Sequence, residues 1–516
     1  MARKGFFRFF LEGAAMTAGL FLSVLLYSCR DEYRHFDRGE VYLRFSQDTI
    51  RFDTILTTQA SVTKVVTVRN PSSKAVTIGR VYLAGGTSSR FRFNLNGDTA
   101  LNQRNIVLGG KDSLYLFVQT VIDYRDQDNP FEVTDYLKFE LNDMKPQQVV
   151  LQAWGQDAHY WQGNLSARVP YEDPLQGSFY KEDSLSFRYF MWNETDYPIA
   201  DRKPYVIYGY LAVPEGKTLE IPAGTRVYLA ANSGIWLRPG SRLKIAGTRQ
   251  EPVTFTSLRQ DGNYRHMAGQ WGRIWLDSAS GPHSVGHALI RNGQTSFWAE
   301  PGIELEILDT RIENMSRHGI LTKDAHVQGV NLCISESQVN LCLSRGGDYE
   351  FTHCTFVNDF YGGMAGVYNR CLYLSDHDGK EDGASATGRL ERARFNNSIF
   401  HGRNSLQVKT DFKDSASRSA FRFTRCLISQ KPVPTESNYD SCLWNEDPFF
   451  VNADAYDFEI DTVVSPAVGR GDPSFVQGKA VTDLKGRLRS LPPTLGAYEF
   501  YPEETPLLRF RKGGKR

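Results

Sequence analysis

Apolar and polar positions in the middle of the chain return every 22 residues. Ile290, Ile312, Ile334 and Phe356 form one such series, and Asn292, Asn314, Glu336 and Asn358 form a second, two residues further on. Two residues before each apolar position stand Ala288, Thr310, Leu332 and Cys354, all small or apolar. A fixed period in this range predicts a solenoid, in which each repeat packs only on its neighbours. Residues at i, i+2 and i+4 of a strand share a face, so stacked coils place Ile on Ile and Asn on Asn. The shape is set more firmly than any chemistry.

The pattern before residue 158 has a different period. From Val41 to about Asp157 alternation dominates: Val66, Val68 and Asn70 point opposite to Val65, Thr67 and Arg69. Further strands are expected in 112–122 and 146–155, separated by turns such as Asn70-Pro71-Ser72-Ser73 and Asn96-Gly97-Asp98. Short alternating strands between turn signals predict a β-sandwich over residues 40–157. Its opening FSQDTIRFDTILTTQASVTKVVTVRN and closing VVLQAWGQDA resemble immunoglobulin-like domains of the abnormal-spindle/hydin type, which implies a spacer or docking module. The segment has no Cys, so the antibody-type disulfide is absent.

Residues 158–204 are irregular and aromatic, with His159-Tyr160-Trp161 and Tyr189-Phe190-Met191-Trp192. An exposed solenoid end needs a cover, and this stretch is expected to cap the first coil. Residues 205–446 carry the solenoid. Its first part is a run of short strands broken at Pro214-Glu215-Gly216, Pro222-Ala223-Gly224 and Arg238-Pro239-Gly240, followed by Gln270-Trp271-Gly272-Arg273-Ile274-Trp275. These resemble the early coils of right-handed, single-stranded parallel β-helix proteins of the pectate-lyase-like fold. Ile399 and Leu427 continue the coil in looser register, and roughly ten or eleven coils at about 4.8 Å each give a rod of about 50 Å. Residues 447–500, with Asp447-Pro448-Phe449-Phe450-Val451 and Leu495-Gly496-Ala497-Tyr498-Glu499, resemble the terminal module found on such helices and are expected to close the last coil. The fold class is therefore all-β: a sandwich, a parallel β-helix and a C-terminal capping module.

Other features bear on location. Arg3, Lys4 and Arg8 precede a mostly apolar run from Leu11 to Leu26, and the run stops at Leu26-Tyr27-Ser28-Cys29. The pattern has the plan of an export signal and is too short for a comfortable membrane span. It resembles the lipobox of bacterial lipoproteins, which implies removal of residues 1–28, lipidation of Cys29 and a membrane partner. Tyr27 is bulkier than that family places there. Residues 29–39 serve as a tether, and Arg30-Asp31-Glu32 resembles the acidic signals that send some lipoproteins to the cell surface, so an outer-membrane, surface-facing location is expected. Basic and acidic residues balance at 60 and 59, which argues against a nucleic-acid partner. The last residues, 501–516, form a basic tail ending in Arg509, Arg511, Lys512, Lys515 and Arg516.

Candidate chemistry is sparse. Asn292, Asn314 and Asn358 are expected to form a structural ladder, because buried amides need partners along the stack. His318, Lys323, Asp324 and His326 are the densest ionisable group in the regular coils. A lyase needs a base near the sugar and a cation to neutralise a uronate, so these four are the catalytic candidates. Asp376, Asp378 and Asp382 lie in SDHDGKEDGAS and are the metal candidates; no cofactor is otherwise implied, and Ca²⁺ is the ion such hard oxygens suit. Trp236, Trp271 and Trp275, with Trp298, Tyr208 and Tyr210, are candidates to stack on sugar rings. Cys333, Cys342, Cys354, Cys371, Cys426 and Cys442 lack C-x-x-C spacing, against zinc; export permits disulfides, yet the sequence identifies no pair. Cys354 should face inward and Cys333 outward. The paired aspartates of polygalacturonases and the Arg-x-Pro-x-x-Arg of pectate lyases have no counterpart here. The expected role is non-enzymatic binding or adhesion to a glycan or envelope component; a polysaccharide lyase or glycoside hydrolase and a purely structural rod are the alternatives.

Overall fold

A computed structural model describes residues 42–141, 146–170, 184–358, 369–378, 386–461 and 463–502. The leader, Cys29, the tether, Asp382 and the basic tail lie outside the described residues. Among those described, no helix is long and apolar enough to cross a membrane. The chain divides into two compact units, 1–157 and 158–516.

The first unit is a β-sandwich. One sheet has four strands and the other five, antiparallel except where Thr49–Leu56 runs parallel to Gln147–Gln156. The alternation is as expected: Val66, Val68 and Asn70 are buried, whereas Val65 is exposed. Asn70 is a polar member of that inner face, and its amide donates to the carbonyls of Lys74 and Gly109.

The second unit is a parallel β-helix with three stacked sheets. Sheet I contains His159–Gln162, Tyr205–Tyr208, Arg226–Leu229, Val253–Ser257, Ala288–Arg291, the first residues of Arg311–Val330 and of Cys333–Thr352, Thr355–Asn358, Ile399–Gly402, Leu427–Ile428 and Leu443–Trp444. That makes eleven rungs among the described residues. Sheet II runs from Ser184–Met191 through Trp271–Leu276 and Gly293–Ala299 to Val408–Asp411. Sheet III runs from Thr218–Pro222 through Glu304–Leu308 to Tyr439–Asp440.

The 22-residue series is a pairing register. Ile290 pairs with Ile312, Ile312 with Ile334, and Ile334 with Phe356. The same inward column continues through Phe400 and Ile428 to Trp444. Ile399 and Leu427 therefore sit one residue off the column and face outward, because side chains alternate across a strand. In sheet III the interior becomes an aromatic stack: Phe351 on Phe395 at 5.7 Å, Phe395 on Phe423 at 4.6 Å, and Phe423 on Tyr439 at 5.0 Å. In-register stacking lets each ring bury a face against its neighbour.

Tight corners join the sheets, and each needs a residue with positive φ, a conformation Asn tolerates better than most residues. Between sheets I and II stand Asn292, Asn314 and Glu336, with φ of 67°, 56° and 56°. Asn314 donates to the Asn292 Oδ1 at 2.8 Å, the ladder contact expected along the stack. Asn358 lies at the end of its strand and donates instead to the Ser337 and Arg370 carbonyls. A second column, His287, Asp309, Asn331, His353 and Asn397, turns the corner from sheet III to sheet I, with φ between 46° and 53°.

Two expectations about the ends change. Residues 158–204 do not simply cover the first coil; they supply it, since His159–Gln162 pairs with Tyr205–Tyr208 and Tyr189–Met191 with Tyr210–Ala212. The C-terminal module does not merely close the last coil. It lies along the side of the helix over the second corner column. Phe458, Leu484, Ala497 and Tyr498 pack on the outward Cys333 and Val357, and Ile460, Ala467 and Leu495 pack on Ile399 and Leu427. Thus Cys333 faces out of the coil, yet is buried, while Cys354 faces in.

Candidate functional site

The residues singled out from sequence fall on two lateral faces. The outer face of sheet II carries a column in register: Trp236, Trp275, Trp298, Leu321, Cys342 and Tyr373. Trp236 and Trp275 stack in parallel at 5.3 Å with 8° between planes. Phe187 meets both rings edge-on, and Tyr189 meets Trp236. Cations sit over the next ring: the Arg273 guanidinium lies 4.5 Å and the Lys323 ammonium 4.9 Å from the centre of Trp298. Lys323, 4% exposed, also pairs with Glu300 at 3.4 Å. His318 is on the same face at 0% exposure, its Nδ1 3.5 Å from the Thr295 hydroxyl. Trp236 donates to Asp277, whose pKa is raised chiefly by burial. Trp236 and Trp275 each cover one face of the other, and cations lie over Trp298. Trp271 is inside the coil, 0% exposed, with its indole N–H on the Arg291 carbonyl, and Tyr210 is buried as well. This face is a packed aromatic and cationic layer.

The other two catalytic candidates turn away from it. Asp324 occupies a positive-φ corner, with its pKa raised mainly by burial. His326 emerges on the outer face of sheet III. The four residues thus divide between two sheets, because a strand reverses its facing at each step and the corner at Asp324 starts a new sheet.

Sheet III presents the open site. A groove of about 340 Å³ is lined by Glu304, Glu306, His326, Gln328, Asp348 and Arg392. The parallel pairing places Glu304, His326, Asp348 and Arg392 in one column and Glu306, Gln328 and Glu350 in the next. Successive rungs then offer polar groups about 4.8 Å apart. Arg392 donates to both Asp348 oxygens, at 2.8 and 3.2 Å, and this contact is the main reason its own pKa is raised. His326, Asp348 and Glu391 bring ligand atoms within 4.8 Å of one another. Asp348, Glu391 and Arg392 escaped the sequence reading because rung neighbours lie 22 and 44 residues apart, as His326 from Asp348 and Asp348 from Arg392; the 22-residue period was the available signal for Asp348.

His283 borders this groove and belongs to the inward column of sheet III, where it pairs with Leu305. It is 2% exposed, accepts a hydrogen bond from the Leu243 amide at 3.1 Å, and lies 3.0 Å from the Ser280 hydroxyl. Burial lowers its pKa to about 4. The unfolded chain binds a proton near pH 6.5 and the folded chain does not until about pH 4, so stability falls as pH drops through that window. The span corresponds to about 3 kcal/mol. We expect thermal melts from pH 7 to pH 4 to lose stability on this scale, and His283→Gln to flatten the slope; an unchanged slope in that variant counts against the assignment.

The acidic run is engaged elsewhere. Asp376 accepts from the Lys413 and Asp414 amides at 2.9 and 2.8 Å, and Asp378 pairs with Arg345 at 3.1 Å. These bonds order the neighbouring turns and use lone pairs that a cation would need.

No curated protein is similar enough to this chain to count as a relative. Among solved structures, a family 123 glycoside hydrolase from Clostridium perfringens aligns over 24% of this chain and 30% of that chain, with 7% identity and a TM-score of 0.17. The PapD-like domain 7 of human CEP192 aligns over 24% of this chain and 96% of that chain, with 10% identity and a TM-score of 0.15. Scores of that size carry no argument. Residues 193–294 match the family model described as a pectate-lyase-like β-helix domain, in agreement with the parallel coils observed there.

Proposed function

We propose that this chain is a lipid-anchored envelope protein that binds a carbohydrate polymer along the groove of sheet III without cleaving it. The observation that carries the reading is the groove itself: it is open, about 340 Å³, and lined on successive rungs by both signs of charge and by Gln328. Stacked polar side chains at rung spacing suit a chain of hydroxyl-bearing rings better than a single small molecule. The pectate-lyase-like match supports a carbohydrate-related role, although fold alone does not assign one.

Binding is favoured over catalysis by the state of the ionisable groups. A general acid must present a free carboxyl to the bond it protonates, and both Asp348 oxygens are engaged by Arg392. His318 and Lys323, the lyase-base candidates, are buried in the packed face of sheet II. In this reading Cys29 carries the lipid, the sandwich acts as an immunoglobulin-like spacer, and the helix faces outward from the cell.

The test uses the full chain with a panel of neutral and acidic polysaccharides, with and without Ca²⁺. Retention on at least one insoluble polymer with no shortened products is expected. The double variant His326→Ala/Arg392→Ala should weaken retention by about tenfold, a change of about 1.4 kcal/mol. Oligosaccharide products would replace the reading with an enzyme, and neither products nor retention would leave a structural rod. Cys29→Ala should release the protein from membranes; persistence there would remove the anchor from the proposal.

A further inference from the structure

The inward column that begins with Ala288, Thr310, Leu332 and Cys354 continues through Ser398, Cys426 and Cys442. Each member directly precedes a paired residue of sheet I: Thr355 pairs with Ile399, Ile399 with Leu427, and Leu427 with Leu443. The Cys354 amide donates to the Ser398 hydroxyl at 3.0 Å, so Ser398 separates Cys354 from Cys426 by a full rung. Nothing separates Cys426 from Cys442. The Leu443 amide donates to the Cys426 carbonyl at 2.8 Å, and both thiols face the interior, where they pack with the same core cluster. Each follows a corner residue of nearly identical backbone, Arg425 at φ 53° and Ser441 at φ 54°. The two Cα–Cβ vectors therefore start from matching frames one rung apart. A rung of about 4.8 Å falls inside the Cα–Cα range that a disulfide spans.

We propose that Cys426 and Cys442 form a disulfide that staples the last two rungs of the helix, made by exchange with a disulfide-bearing oxidant. Cys442 is only half-buried, whereas Cys426 is fully enclosed. The hydrogen bond from Cys426 is the main cause that lowers the Cys442 pKa, and burial raises that of Cys426. Cys442 is thus the thiol that meets the oxidant as thiolate. Its sulfur attacks the external S–S bond, expelling one thiolate and forming a mixed disulfide. The Cys426 sulfur, after losing its proton, attacks the Cys442 Sγ and expels the second thiolate. The net change is loss of two S–H bonds, gain of one S–S bond, and reduction of the oxidant to two thiols that take both protons.

The staple has a structural purpose. The terminal strands, Tyr439–Asp440 and Leu443–Trp444, have two residues each, and an end rung has a neighbour on one side only. Cross-linking it to the rung below opposes fraying at the edge where strands of another chain would add.

The full chain is equilibrated in a buffer of oxidised and reduced glutathione, its free thiols are alkylated, and it is digested without reduction by a protease that cuts after Glu436, between the two cysteines. The expected result is a pair of peptides joined through Cys426 and Cys442, with two fewer alkylated thiols than in the reduced chain, both restored by dithiothreitol. Cys354→Ser should retain the joined pair and Cys442→Ser should lose it. The proposal is overturned if the folded chain alkylates at both positions after that equilibration, if either cysteine is joined to another one, or if glutathione remains on Cys442 without resolution by Cys426.

Discussion

Replacing Ile312 with Asp is expected to unfold the central coils. Ile312 is 0% exposed and pairs with Ile290 on one side and Ile334 on the other. The substitution removes a buried aliphatic side chain, which costs about 2–5 kcal/mol, and puts an unpaired charge in its place at further cost. Against a total stability of about 5–15 kcal/mol, the cooperative transition should be lost or lowered by about 10–20 °C. Ile312→Val should cost only about 1 kcal/mol. Calorimetry or circular dichroism of the two variants decides the matter: if the Asp variant melts with the parent, the inward column is misassigned.

Arg489→Ala is expected to free the C-terminal module from the coils. Arg489 donates to the Asn331 Oδ1 at 2.7 Å and to the Ala497 carbonyl at 3.3 Å, and it faces Glu499 at 3.7 Å in a seam where both side chains are buried. Burial holds its pKa down to about 10, so it stays charged at neutral pH. Its removal leaves Glu499 without that countercharge and the Asn331 oxygen without a donor, a change of about 3–5 kcal/mol. Limited proteolysis should then cut within residues 447–502 while the coils resist. Arg489→Lys should rescue poorly, because an ammonium cannot reproduce the planar fork. Equal resistance of the alanine variant and the parent would show that the seam does not depend on this residue.

The architecture was legible because stacking converts a sequence period directly into contacts. Ile290, Ile312, Ile334 and Phe356 repeat in sequence and pair in space, and the same logic separates Cys333 from Cys354. In the looser part the strand at Ile399 follows an insertion, and with the period broken only rung pairing shows that Phe400, not Ile399, continues the inward column. The second corner column was present at the same 22-residue spacing, in His287, Asp309, Asn331 and His353. It went unread because those residue types differ; what they share is a backbone conformation. The groove was less legible still. His326 was visible as an ionisable residue, but Asp348 and Arg392 join it only through rung pairing. Trp271 and Trp275 look alike in sequence, yet a local register shift between Arg273 and Ile274 places one inside the coil and one outside.

The seam over the second corner column also constrains how the chain reaches its folded state. In a solenoid whose repeats touch only their neighbours, folding can begin anywhere and spread. Here Asn331 waits for the Thr482 carbonyl, 151 residues later, and Arg311 for that of Tyr456, 145 residues later. Closing such long loops is slow. During synthesis from the N-terminus the middle coils therefore assemble with Cys333, Val357 and their row of corner amides uncovered, and they stay so until the final segment emerges. The C-terminus acts as the latch of a vectorial process: a chain interrupted before it has the coils but leaves an apolar flank open to association, which makes completion of translation itself a checkpoint for solubility.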